Sequence, residues 1–205
     1  MTSDWLTRAL EESRARGFLG PGAIEPQISH ARGFVAAWAS RRETPPSTFL
    51  DLGSGGGLPG LVLLEIWRSQ AVLLDSMAKR VAFLREVLAW PDAPGRARVE
   101  EGRAEDLARS AGLEALFPLV TSRSFGPPAV TAECAARFLV VGGLLVVSEP
   151  PEREERWSGK GLRELGLVDE GDFVHGLKFR ILRKDAETPP QFPRRSGIPA
   201  KRPLF

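Results

Sequence analysis

Residues 49–60 read Phe-Leu-Asp-Leu-Gly-Ser-Gly-Gly-Gly-Leu-Pro-Gly, an apolar run that ends in Asp51 and passes straight into a glycine-rich turn. Leu58, Leu61, Val62 and Ile66 then recur at helical spacing, with Glu65 among them. The segment therefore reads as a strand, a tight turn and the start of a helix. Glycines in such a turn allow φ > 0 and let the backbone approach a ligand, because no Cβ intervenes. A chain organised around this unit is expected to be α/β, with a ligand site at the turn.

Strand and helix patterns alternate along the rest of the chain. Helices are expected over 3–16 and roughly 28–42, with a loop over 17–26 between them. A strand at 48–52 and a helix over about 58–69 precede a strand at 71–75. Ser76 is read as the cap of the next helix, whose Met77, Val81, Leu84 and Leu88 would face the sheet. A strand near 97–100, a short helix over 105–109 and a strand over 116–122 follow. Beyond a loop at 125–128, a helix is expected up to about Phe138, then a turn at Gly142-Gly143 and a strand at 144–148. A helix at about 152–165 leads to two strands over 172–184 that turn at His175-Gly176. Such alternation implies a doubly wound, mostly parallel seven-stranded sheet with an antiparallel edge strand. Ligands of such sheets lie at the C-terminal strand ends, which would gather Asp51, Asp75, residues 103–105, 122–124 and 148–149 on one rim.

With 205 residues the chain suffices for one well-buried domain. It divides into a helical appendage (1–46), a main domain (47–185) and a basic, proline-rich tail (186–205), which is expected to be extended and mobile. No apolar run approaches the roughly 20 residues of a membrane span, and no basic segment with an apolar core opens the chain. A cytoplasmic monomer with no membrane partner is expected. The single cysteine, Cys134, rules out an internal disulfide and a cysteine-based zinc site. His30 and His175 stand apart from other ligand types, so no metal is expected. A net charge of +2 does not by itself imply nucleic acid. Basic residues nevertheless cluster at Lys79, Arg80 and Arg85, and again at Arg194, Arg195, Lys201 and Arg202.

The spacing of Asp51, Gly53, Gly55 and Gly57 resembles the acid-x-Gly-x-Gly-x-Gly pattern of S-adenosylmethionine-dependent methyltransferases. Residues 55–60 also fit the G-x-G-x-x-G dinucleotide fingerprint, and Asp75 at the next strand end could take a ribose hydroxyl in either fold. Asp51 ahead of the glycines and the lack of a second substrate domain favour the methyltransferase. A glycine turn of purely structural use is the third alternative.

Four segments resemble one family more specifically, the bacterial small-subunit ribosomal RNA guanine-N7 methyltransferases, known as RsmG or GidB. They are Asp51-Leu-Gly-Ser-Gly-Gly-Gly-Leu-Pro-Gly60, Leu74-Asp-Ser-Met-Ala-Lys-Arg-Val-Ala-Phe-Leu84, Gly102-Arg-Ala-Glu105 and Thr121-Ser-Arg-Ser-Phe125. The ending Phe192-Pro-Arg-Arg-Ser-Gly-Ile-Pro-Ala-Lys201 is similar to the family's basic Pro-Arg-Lys ending. The resemblance implies a class I, Rossmann-like methyltransferase acting on 16S ribosomal RNA or the small subunit. It implies cofactor contacts from Asp51, Gly53, Ser54, Gly55, Gly57, Leu58, Asp75, Ser76, Arg103, Ala104, Glu105 and Arg123. Lys79, Arg80, Arg194, Arg195, Lys201 and Arg202 would meet RNA.

Guanine N7 carries an in-plane lone pair, so its attack needs no base. Ser122, Ser124 or Glu149 could stabilise the charge that develops on the purine, while Arg123 could hold a phosphate or the base's O6. Cutting the chain after Glu187 is expected to weaken RNA binding while sparing fold and cofactor affinity. The chain departs from the family in lacking an upstream Asn-Leu-Thr element and an Asp-Ser after His30. It also reads Ser148-Glu149-Pro150-Pro151 where a lysine is common. These departures leave open a same-fold enzyme for a small molecule, or a non-catalytic RNA-associated module.

Overall fold

In the computed structural model, which describes residues 2–150 and 156–205, β1 (Thr48–Leu52) pairs in parallel with β2 (Gln70–Asp75) and β4 (Phe117–Ser122). β3 (Ala97–Glu101) extends the sheet beyond β2, and β5 (Leu139–Glu149) lies parallel to β4. β7 (Leu177–Lys184) runs antiparallel between β5 and β6 (Leu167–His175), giving the order β3-β2-β1-β4-β5-β7-β6. The helices are α1 (Asp4–Ala15), α2 (Ile24–Ala39), α3 (Gly60–Ile66), α4 (Ala78–Leu88), α5 (Ala104–Leu107), α6 (Pro128–Ala136), α7 (Gly159–Glu164) and α8 (Ile198–Lys201).

Period-two alternation in the strands sorts the core into two layers. Phe49, Ala71, Leu73, Leu119 and Val146 face a cluster with Trp5, Leu10, Phe34, Leu61 and Phe83 of α1 to α4. Leu50, Leu52, Val72, Leu74, Val120 and Leu145 face a second cluster with Ala104, Cys134 and Leu162 of α5 to α7 and with Phe138, between α6 and β5. The first two helices thus share a core with the sheet, and Trp5 Nε1 donates to the carbonyl of Val87 at 2.9 Å. No helix among the described residues is long and apolar enough to cross a membrane.

Several boundaries differ from the sequence reading, each for a local reason. α2 starts at Ile24 rather than 28, so Pro26 sits in its first turn, where no intrahelical N–H is required. Ser76 does not cap α4: Met77 holds that position, and its N–H donates to Asp75 Oδ1 at 2.8 Å. Met77 is 49% exposed, and the buried face of α4 is Val81, Phe83, Leu84 and Val87. Gly142 and Gly143 lie within β5, at a register shift against β4, rather than before the strand. A Cβ on Gly143 would come within 2.9–3.1 Å of three carbonyl oxygens, so the bulge requires glycine. β6 begins at Leu167, five residues before the expected start. Of the helix expected over 152–165, Gly159–Glu164 forms α7, and residues 151–155 lie outside the described part.

The largest correction concerns the tail, which packs against the domain rather than extending from it. Arg194 is paired through Nη2 at 2.6 Å and Nε at 2.9 Å with Glu133, whose side chain is fully buried. The Arg137 guanidinium donates to the carbonyls of Phe192 at 2.6 Å and Pro189 at 2.8 Å. Ser196 Oγ donates to Asp106 Oδ2 at 2.7 Å, and Phe192 and Phe205 cover the second core cluster.

Candidate active site

The register places Leu52 beside both Leu74 and Ser122, so the strand ends form one rim. The turn after β1 is fastened there: the N–H groups of Gly53 and Ser54 both donate to the carbonyl of Leu74 at 2.9 Å, and that of Gly55 to Asp75 Oδ2 at 2.8 Å. Gly53, Gly55 and Gly57 all have positive φ, at 75°, 54° and 98°. At Gly53 a Cβ would also strike the Phe125 ring at 2.7 Å.

Three cavities open on this rim. The first, of about 280 Å³, lies over the ends of β2 and β3 and is lined by Gly53, Asp75, Ser76, residues 102–105 and residues 124–127. The second is lined by Gly53, Ser54, Gly55, Leu58, Arg80, Arg123, Ser124 and, from the N-terminal segment, Phe18, Leu19 and Gln27. The third, of about 420 Å³, lies at the end of β5 and is lined by His30, Ser148, Glu149, Arg156 and Trp157, with Ser124, Phe125 and Gly126 as a wall shared with the first. Ser124 borders all three. Its backbone has φ 55°, a left-handed conformation that non-glycine residues hold at a cost of order 1–3 kcal/mol and that clusters at functional sites.

Asp51 is placed differently from the expectation. It is fully buried and lines none of these cavities; its Oδ2 accepts from Gly60 N at 3.0 Å and its Oδ1 from Thr121 Oγ1 at 3.1 Å. It thereby ties the glycine turn and the start of α3 to β4. Burial raises its pKa from 3.8 to about 6, against the hydrogen bonds that favour the carboxylate. A carboxyl group with a raised folded-state pKa supports folding most fully below the unfolded value. That support is lost as the pH rises through about 6. Asp51→Asn retains an acceptor for Gly60 and removes the titration. Its melting temperature relative to wild type should therefore climb between pH 4 and pH 6, and a pH-independent difference would refute the assignment.

The other residues separate into those the rim gathers and those it does not. Asp75 is buried, and its two oxygens face Gly55 N, Met77 N and, at 3.8 Å, Arg80 Nη1. Arg80 thus lies in the wall of two cavities rather than on a free basic face. Glu105 is buried and accepts from Arg103 Nη2 at 3.2 Å and from the tail's Gly197 N at 3.0 Å. Ser122 is fully buried outside the cavities, with no hydrogen-bond partner for its Oγ. Gly57 faces Leu61 rather than a cavity. Arg194 is paired with Glu133 through Nε and Nη2 rather than standing on a free basic face. Lys79, Arg195, Lys201 and Arg202 are exposed. Phe125 and Gly126 on the shared wall, Phe18, Leu19 and Gln27 in the second cavity and Ala200 in the first were not anticipated. Of these, Phe125 carried a signal as the end of the Thr121–Phe125 motif, and Ala200 lies within the Phe192–Lys201 ending.

Arg123 turns toward the glycine turn. Its Nη2 donates to Gln27 Oε1 at 3.2 Å, and its Nη1 is buried without a partner. Burial lowers the pKa of His30 to about 4, with Arg123 adding to the shift, so the imidazole is neutral near pH 7. The thiol of Cys134 is pushed up by burial, which disfavours a thiolate nucleophile. Among the described residues no group of three or more His, Cys, Asp or Glu side chains could hold a metal ion.

A seven-stranded sheet in this order, with a glycine turn after β1 and an acid closing β2, defines the class I methyltransferase fold. Among solved structures, the O-methyltransferase from Bacillus cereus in complex with SAH aligns with a TM-score of 0.62 and 14% identity over 90% of this chain and 92% of that one. The O-methyltransferase TomG from Streptomyces achromogenes in complex with SAM aligns with a TM-score of 0.60 and 15% identity over 91% and 92%. The chain belongs to the GidB family, described as rRNA small subunit methyltransferase G, whose profile matches residues 34–160. Ribosomal RNA small subunit methyltransferase G of Moorella thermoacetica is 36% identical over 174 residues, covering 79% of this chain and 72% of the relative. The protein of the same name from Thermotoga maritima is 36% identical over 173 residues, covering 80% and 71%.

Proposed function

We propose that this chain transfers a methyl group from S-adenosylmethionine to N7 of a guanine in 16S ribosomal RNA. The observation that carries the reading is the meeting of three cavities at Ser124, two against the glycine turn and one against β5, in a member of this family. A donor and an acceptor entering from opposite sides would face each other there.

The residues present suit the cofactor. Arg123 offers an unpaired buried N–H beside the glycine turn, where its planar fork matches the carboxylate of the methionine end. Asp75 keeps lone pairs for ribose hydroxyls, and Ala104, Glu105, Val130 and Ala200 wall the adenosine end. When bound, S-adenosylmethionine supplies a methyl group on a sulfonium centre. The chain's own task is to align the acceptor in line with that group and to exclude water. Guanine N7 needs no deprotonation, so a neutral His30 and an unreactive Cys134 are compatible with the reaction. The exposed cations Lys79, Arg195, Lys201 and Arg202 would meet RNA phosphates around the rim.

Arg123→Lys keeps the charge but loses the fork. Calorimetry with S-adenosylmethionine should then show affinity lower by about tenfold, or 1.4 kcal/mol; unchanged affinity would remove Arg123 from the cofactor site. The function itself is tested with methyl-labelled S-adenosylmethionine, purified small subunits and a low-molecular-weight cell extract. Label recovered as 7-methylguanosine in 16S RNA supports the reading, and label confined to the small-molecule fraction overturns it.

A further inference from the structure

Among the described residues, the cavity at the end of β5 shares Ser124, Phe125 and Gly126 with the cofactor side, which gives the acceptor base a space in which to lie. Its walls are chemically uneven. Pro128, Val147, Trp157 and Leu177 supply apolar surface suited to the faces of a purine. The polar groups on its border include Glu149, which closes β5 with its side chain only 5% exposed. Arg156 holds that carboxylate through Nη2, at 3.0 Å from Oε2 and 3.2 Å from Oε1. Arg156 Nε and His30 Nε2, from residues on the same border, are buried without hydrogen-bond partners. Buried polar atoms are seldom left unpaired, and here two of them accompany a carboxylate that retains spare lone pairs.

Resting on the function proposed above, we propose that this cavity is a guanine pocket in which Glu149, clamped by Arg156, accepts from the N1–H and N2–H of the base. The two oxygens of a carboxylate match that adjacent pair of donors. Adenine presents an acceptor at N1 and no amino group at C2, so it would leave a buried carboxylate facing a lone pair. N7 projects from the side of the purine opposite C2. A base held by its N1 and N2 groups at Glu149 therefore points N7 toward the wall shared with the cofactor side. The base must be unstacked from its neighbours to enter, as is general for enzymes that act on a single base. Glu149 lies in the Ser148-Glu149-Pro150-Pro151 segment, where the chain departs from the resembled family, which makes this a proposal about this chain.

The test compares guanosine with inosine, which lacks the N2 amino group, at the position in 16S RNA that the wild-type protein methylates. Wild type should favour guanosine by about tenfold or more in kcat/KM, because inosine leaves one oxygen of the carboxylate unpaired. Glu149→Gln should lower kcat/KM on guanosine and shrink the guanosine-to-inosine ratio to below about threefold, with S-adenosylmethionine affinity by calorimetry unchanged. Glu149→Gln combined with Arg156→Met leaves no lone buried charge and should show the same small ratio if the single variant folds poorly. A wild-type ratio near one, or a ratio preserved in both variants, overturns the guanine pocket while leaving the methyltransferase reading intact. No transfer to RNA by wild type overturns both.

Discussion

Removal of the chain after Glu187 is expected to cost the protein stability and cofactor affinity together. The cut strips Arg194 from Glu133, whose carboxylate is fully buried and accepts from the Arg194 backbone N–H at 2.8 Å as well as from its guanidinium. Breaking a buried pair by deleting one partner costs about 3–5 kcal/mol, a large share of the roughly 5–15 kcal/mol that holds a domain folded. The cut also removes the carbonyls that Arg137 uses at Phe192 and Pro189, and the aromatic cover of Phe192 and Phe205. It takes Ala200 from the cavity wall and Gly197 N from Glu105 as well. The truncated chain should melt at least about 10 °C lower and bind S-adenosylmethionine at least about tenfold more weakly. Arg194→Ala alone should reproduce most of the thermal loss, and adding Glu133→Gln should recover part of it by removing the unpaired charge. Unaltered melting and affinity in the truncated chain would show that the tail is dispensable, as its composition had suggested.

A second large effect is expected at Gly55. Its φ of 54° suits glycine, yet a Cβ there would meet nothing nearer than Gly53 O at 3.7 Å and Arg80 Nη1 at 3.9 Å. A side chain at this position would therefore project into the cavity that Gly55 lines. Gly55→Val should weaken S-adenosylmethionine binding by about a hundredfold or more. The strain of a β-branched residue at positive φ adds a stability loss of order 1–3 kcal/mol. Gly60→Ala should behave in the opposite way, because its Cβ would lie 2.6 Å from Asp51 Oδ2 and 2.5 Å from Leu73 Cδ2. That variant should lose thermal stability before it loses cofactor affinity per folded molecule. Equal affinity in Gly55→Val and wild type would place the cofactor elsewhere.

The strand ends were legible because a continuous apolar run closed by an acid or a glycine is a local signal. Asp75, residues 103–105 and Ser124 reached the rim for that reason. Asp51 was legible as a residue of the turn but not in its orientation. The side-chain alternation within β1 turns it to the α3 side, away from the cavities. Arg194 and Arg80 read as basic surface because charge composition carries no record of a partner 61 residues away or of an acid at the preceding strand end. The tail's proline content fits an extended path, and its docking depends on Glu133 and Arg137, which nothing in residues 186–205 announces. The left-handed Ser124 had no sequence signature, since nothing around it substitutes for a glycine.

The most direct measurement is mass spectrometry of 16S ribosomal RNA from the source organism with and without this gene. The account predicts that the deletion removes one 7-methylguanosine and that restoring the wild-type chain, but not Gly55→Val, brings it back. Intact methylation of 16S RNA in the deletion strain would contradict it.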